Sequence, residues 1–129
     1  MSENKILVGV CGAHMQGLPL NWQLVELGAM LVRKTKTKKG YRLFVLENKE
    51  PIRPGMIYDT SSQYKIEVEV WSMPVENFGK FMKQIASPLG IGSVFLEDET
   101  CVYGFLCESE YLKEAKEISA LGSWREFIK

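Results

Sequence analysis

The chain has 129 residues, with 16 basic and 16 acidic side chains, a formal net charge of +0 and 46% hydrophobic residues. That length fits one domain, 1–129, with enough material for a core that needs no disulfide or structural metal. The charge balance argues against a nucleic-acid binder or a protein of anionic membrane surfaces, since both carry a clear positive excess.

The opening "MSENKILVGV" has too short an apolar run for a signal peptide. No run approaches the roughly 20 apolar residues that span a bilayer. Cys11, Cys101 and Cys107 form no C-x-x-C pair, so they read as reduced thiols rather than a metal or redox motif. The expectation is a cytoplasmic protein with no metal, nucleic-acid or membrane partner.

"KILVGVC" (5–11) is apolar, partly β-branched and bounded by Gly12, and predicts a buried first strand. The next segment, "GAHMQGLPL" (12–20), is a loop by its glycines and proline and carries His14, the one histidine of the chain. "NWQLVELG" (21–28) predicts a short helix between an Asn21 cap and a Gly28 stop. "AMLVRKTKT" (29–37) and "YRLFVL" (41–46) alternate in part and predict two strands joined through "KKG".

"EPIRPG" (50–55) is a proline-punctuated loop, followed by a short strand in "MIYDT". "YKIEVEVW" (64–71) is the clearest strand, with Ile66, Val68 and Val70 on one face and Glu67, Glu69 and Trp71 on the other. "MPVENFGKFMKQI" (73–85) predicts a helix whose core face is Val75, Phe78, Met82 and Ile85. "SVFLEDETCVYGFLC" (93–107) predicts a hairpin turning near Asp98 and Glu99, and a last short helix starts near Ser123. Hairpins outnumber crossovers, so the order β-α-β-β-(β)-β-α-β-β-α predicts an α+β fold with a mostly antiparallel sheet or small barrel.

Several residues are candidates for chemistry. His14 is the side chain best suited to moving protons near neutral pH, and Gly12 and Gly17 let the backbone approach a ligand and offer N–H groups to an oxyanion. The plain alternative is a packed histidine in a turn. "GAHMQG" lacks the Lys-Ser/Thr and glycine spacing of phosphate loops. Arg42 is placed to clamp a carboxylate, with an exposed strand arginine as the alternative. Glu69, beside Glu67 and Trp71, becomes a general acid or base if a barrel encloses it, and a solvated carboxylate if not. Serine-nucleophile elbows are missing, and Cys11 beside His14 in sequence is not a dyad in space.

"GAHMQGLPLN", Leu24 with Gly28 and Ala29, Thr35 and Thr37 with Tyr41, Arg42 and Leu43, "IEVEVW" with Pro74, "PLGIG", "V-x-G-F-x-C-E" from Val102, and "G-x-W-R" follow one another in order. Together they resemble the C-terminal domain of allophanate hydrolase over nearly the whole chain. The resemblance implies a γ-glutamylcyclotransferase-like fold, a small β-barrel with flanking helices. It also implies decarboxylation of N-carboxycarbamate, a urea-derived dianion, without a cofactor or metal.

The family's functional histidine falls on His14. A pocket around it would be built from Gly12, Ala13, Met15, Gln16, Gly17, Tyr41, Arg42 and Glu69. The chain carries no serine-rich amidase signature, so either the preceding amide hydrolysis would fall to a separately encoded amidase or the substrate would be a different carboxylated urea-like compound, and self-association stays open. Two other readings stand beside this one: a binding or assembly module without turnover, and a γ-glutamylcyclotransferase. The latter is disfavoured because "NFGKFMKQIASPLGIG" (77–92) holds no carboxylate between Glu76 and Glu97, and the first loop reads "CGAHM".

Overall fold

The computed structural model describes residues 4–129. Among them β1 (Lys5–Val10) leads through the His14 loop into α1 (Asn21–Glu26). Then follow β2 (Met30–Lys36), β3 (Tyr41–Leu46), β4 (Arg53–Tyr58), β5 (Glu67–Pro74), α2 (Val75–Met82), β6 (Leu89–Phe95), β7 (Cys101–Cys107), β8 (Lys116–Glu117) and α3 (Trp124–Ile128). Two short 3-10 turns flank β8. The predicted order holds, with β8 added.

The strands form two sheets, one in the order β2-β5-β1-β7-β6 and one in the order β4-β3-β8. Every neighbouring pair is antiparallel except β1–β7. The edges of the larger sheet, β2 and β6, meet at one end. There Thr37 bridges Leu96, the Lys38 N–H donates to the Phe95 carbonyl (3.0 Å) and the Glu97 N–H donates to the Lys36 carbonyl (3.0 Å). The sheet therefore curls most of the way round without a continuous closing ladder. The fold is α+β and mostly antiparallel, a partial barrel with helices on its flanks.

One core joins the two sheets. Val8 and Val10 of β1, Val68 and Val70 of β5, Leu43 and Val45 of β3 and Met56 of β4 are buried together with Trp124 of α3. Tyr41 ties the layers: its hydroxyl, fully buried, accepts from the Phe95 N–H at 2.9 Å.

Four sequence expectations change. First, β2 and β3 are not paired: β2 runs along β5, while β3 turns away at Gly40 (φ +116°) to pair with β4 and β8. Alternation fixes which residues share a face but not which strand lies alongside. Second, β4 reaches back into the proline-rich segment and contains Pro54. It is an edge strand, where a residue without an N–H costs no ladder bond.

Third, α2 ends at Met82 and buries Phe81 fully, with Phe78 and Ile85 partly covered, while Val75 and Met82 face solvent. The helix is thus rotated from the expected stripe. Fourth, both faces of β5 are covered. Val68 and Val70 lie on one side, and Glu69 and Trp71 are 1% and 4% exposed on the other.

Candidate functional site

His14 lies in the turn that follows β1, and the loop around it is held from several directions. The Met15 N–H donates back to the Gly12 carbonyl (2.9 Å), the Leu20 N–H donates to the Ala13 carbonyl (2.8 Å), and the Asn21 side-chain amide donates to the His14 carbonyl (2.8 Å). Gly12 sits so tightly on β4 that a Cβ there would overlap the Pro54 ring. Gly17 takes a left-handed backbone (φ +82°), which suits glycine.

The Glu69 carboxylate and Arg125 hold the backbone of Gln16 on both sides of its Cα. Glu69 Oε1 accepts from the Gln16 N–H (2.8 Å), and the Arg125 guanidinium donates both to the Gln16 carbonyl (2.8 Å) and to Glu69 Oε2 (2.9 Å). The Trp71 indole N–H also donates to Glu69, at 3.1 Å. A nearly buried carboxylate is tolerable because its oxygens are filled and its charge is paired. Glu67, its neighbour on that face, accepts from the Ser123 hydroxyl (2.8 Å). Ser123 in turn caps α3, accepting from the Glu126 N–H. The two glutamates therefore anchor the C-terminal helix and, through it, the His14 loop.

The imidazole is 7% exposed. It packs edge-on against Phe81 of α2 (centroids 5.5 Å apart) and tilted against Phe105 of β7 (4.9 Å). Its Nε2 lies 2.7 Å from the Gln23 side-chain oxygen of α1, so Nε2 carries the proton and Nδ1 presents the lone pair. Burial pushes the His14 pKa down from 6.5 to about 4, opposed by the Gln23 hydrogen bond and assisted by the positive charge of Arg53. The ring is neutral at physiological pH.

A small cavity opens beside the ring, walled by Cys11, Gly12, Ala13, His14, Arg53 and Phe105 among others. Its volume of about 10 Å³ is room for about one water molecule. Most of its walls are buried; only Arg53 and Leu89 reach solvent appreciably. Among the described residues no carboxylate lines it. Burial also pushes the Cys11 thiol up to about 12, so this wall residue is a neutral thiol and not a nucleophile. Among the described residues no cluster of three or more His, Cys, Asp or Glu is placed to hold a metal ion, and no helix is long and apolar enough to cross a membrane.

The structure brings Gly12, Ala13 and His14 together in the cavity wall. Met15 is fully buried in the core below, while Gln16 and Gly17 are exposed. Tyr41, Arg42 and Glu69 are not in the wall. Arg42 belongs to the smaller sheet, where Glu117 takes its Nε and Nη2 (3.0 and 2.8 Å), Asp59 takes its Nη1 (3.2 Å), and the guanidinium stacks over Phe44.

Sequence reasoning missed Gln23, Phe81, Phe105 and Arg53. Gln23 had one signal, a polar side chain in the first turn of the helix after the loop. Arg53 had none, since it stood in a segment read as a loop.

This geometry defines a class: a small α+β domain with a buried, oriented histidine beside a cavity that holds a cation and no acid. Residues 6–129 match the family model "Allophanate hydrolase C-terminal domain". The chain belongs to that family.

Urea amidolyase of Lachancea kluyveri is 40% identical over 132 residues, which cover 98% of this chain and 7% of that protein. The chain thus spans a small part of the curated relatives it matches. Kluyveromyces lactis allophanate hydrolase superimposes with a TM-score of 0.92 at 35% identity, over 97% of this chain and 21% of that one. An AIG2-like protein from Mus musculus, 14% identical with a TM-score of 0.59 over 85% of this chain and 84% of that one, shares the fold alone. The γ-glutamylcyclotransferase-like fold implied by the sequence resemblance is present.

Proposed function

We propose that this domain decarboxylates N-carboxycarbamate in the breakdown of allophanate and urea, with His14 as general acid/base. One observation carries the reading. The chain's single histidine is held by Gln23 in the wall of a cavity that, among the described residues, contains an arginine and no carboxylate. Its similarity to urea amidolyase and allophanate hydrolase supports the substrate class.

The reaction consumes one proton: ⁻O₂C–NH–CO₂⁻ + H⁺ gives H₂N–CO₂⁻ and CO₂. The C–N bond breaks, its electron pair stays on nitrogen, and the proton must arrive there. Burial by itself keeps the imidazole neutral, because it disfavours the charged form. A dianion beside the ring reverses that preference, and the Gln23 oxygen supports the imidazolium through Nε2–H. Nδ1 then takes a proton from water and passes it to the substrate nitrogen. Positioned acid catalysis of this kind supplies about 10²–10⁴-fold. CO₂ release should accordingly slow as pH rises and the imidazolium is lost. The substrate would come from an amidase that first removes ammonia from allophanate.

The lack of a carboxylate in the cavity wall speaks against cyclotransferase chemistry. The test is CO₂ release from freshly generated N-carboxycarbamate by the purified chain, beside release of 5-oxoproline from γ-glutamyl peptides. Release of CO₂ faster than in buffer is expected. A rate equal to buffer leaves a binding module, and 5-oxoproline release would establish the cyclotransferase.

A further inference from the structure

Three arginines lie near the structural features described above, and they differ in what their charge meets. Arg42 is neutralised by Glu117 and Asp59. Arg125 is neutralised by Glu69. Arg53 has no carboxylate partner among the described residues. Its Nε donates to the Pro51 carbonyl (3.0 Å) and its Nη2 to the Glu50 carbonyl (3.0 Å), both neutral acceptors. Arg53 is partly desolvated, lines the His14 cavity and is the one cationic residue in its wall among the described residues.

We propose that Arg53 is the anion-binding and specificity-determining residue of this cavity, pairing with one carboxylate of a small dicarboxylate occupant. The proposal rests on the assignment of the His14 cavity as the working site.

Two further observations support it. The N–H groups of Met15 and Gln16 are spent on Gly12 and Glu69. Those of Ala13 and His14, in the wall, donate to no protein group among the described residues, and they are available to the same anion. The rest of the wall is largely apolar, with Met56, Pro54 and Phe105, so an ion pair formed there is only lightly screened by water.

The cavity must widen for such an occupant, and Arg53 and Leu89 are the wall side chains that reach the surface. A carboxylate accepts from a guanidinium more strongly than do the backbone carbonyls of Glu50 and Pro51 that hold Arg53. Entry of the anion thus draws Arg53 off Glu50 and Pro51 and onto the ligand. The carboxylate clamp assigned from sequence to Arg42 belongs to Arg53.

Because His14 is the only histidine, its imidazole signals are unique in an NMR spectrum of the full chain. Malonate, a stable isostere of N-carboxycarbamate, is the probe. Titration at constant ionic strength should move the His14 signals of wild type. Arg53→Gln should weaken malonate at least about tenfold and raise the His14 pKa, because a positive charge is removed. Arg53→Lys should fall between the two, and Arg42→Gln should match wild type.

Wild-type signals that ignore malonate, or equal affinity in wild type and Arg53→Gln, would overturn the proposal. Arg53-dependent malonate binding without CO₂ release above buffer supports the anchor and removes the decarboxylase reading. Unchanged turnover of N-carboxycarbamate in Arg53→Gln does the reverse.

Discussion

The loop after β1 and the Arg42 patch on β3 both concentrate polar side chains, and they do opposite things with them. At Arg42 a guanidinium, two carboxylates and the Ser119 hydroxyl satisfy one another at a partly exposed surface. One guanidinium meets two carboxylates there, so no positive charge is left over for an anion. At the His14 loop the strongest polar contacts, Glu69 with Gln16, Trp71 and Arg125, lie behind the site and hold its frame. The groups facing the cavity, the His14 ring and Arg53, are left without a charged partner. A binding site is recognised by the charge that remains after internal pairing, not by the number of charges present.

Three measurements bear on that contrast, and the first should show the largest effect. Arg125→Ala removes the counter-charge of a carboxylate that is 1% exposed, which costs about 3–5 kcal/mol for a buried pair. The lower end applies because Arg125 itself is a third exposed. Denaturant unfolding reads this, and a loss below 1 kcal/mol would mean that Glu69 does not need its partner.

The second uses pH. In the folded chain His14 titrates near 4, against 6.5 when unperturbed. The unfolded chain therefore takes up a proton first, and the contribution of a neutral His14 is present above about pH 6.5 and lost as pH falls through 4. Between those limits wild type should lose roughly 3 kcal/mol more than His14→Phe does. Parallel stability curves would contradict the buried neutral ring.

The third is the smallest. Arg42→Gln breaks a bidentate but exposed ion pair and should cost at most about 1 kcal/mol. A larger loss would show that the two regions are less different than their geometry implies.

Much of the frame was legible in the sequence. The apolar run of β1, the hairpin turning at Asp98 and Glu99, and the Ser123 cap each rest on local chemistry, and all three are present; the strand expected at 64–71 is present as β5, displaced to Glu67–Pro74. The site was legible in part. His14 stood out as the one histidine in a glycine-flanked loop, and the ordered resemblance made it central.

The misplaced element was its cation. Arg42 looked available because Glu117 lies 75 residues away in sequence, and nothing local shows that β8 brings it alongside β3. Arg53 looked like loop because Pro51 and Pro54 flank it, and only the edge position of β4 reconciles that proline with a strand. Glu69 was read as enclosed or solvated. It is enclosed, and its partners come from the last helix, which no local pattern could supply.

The central claim is that the His14 cavity is the working site, and it is tested most directly by the rate of CO₂ release from N-carboxycarbamate by wild type and His14→Gln at the same pH. The account predicts that His14→Gln is slower by about 10² or more. Equal rates, both faster than buffer, would place the chemistry elsewhere in the domain.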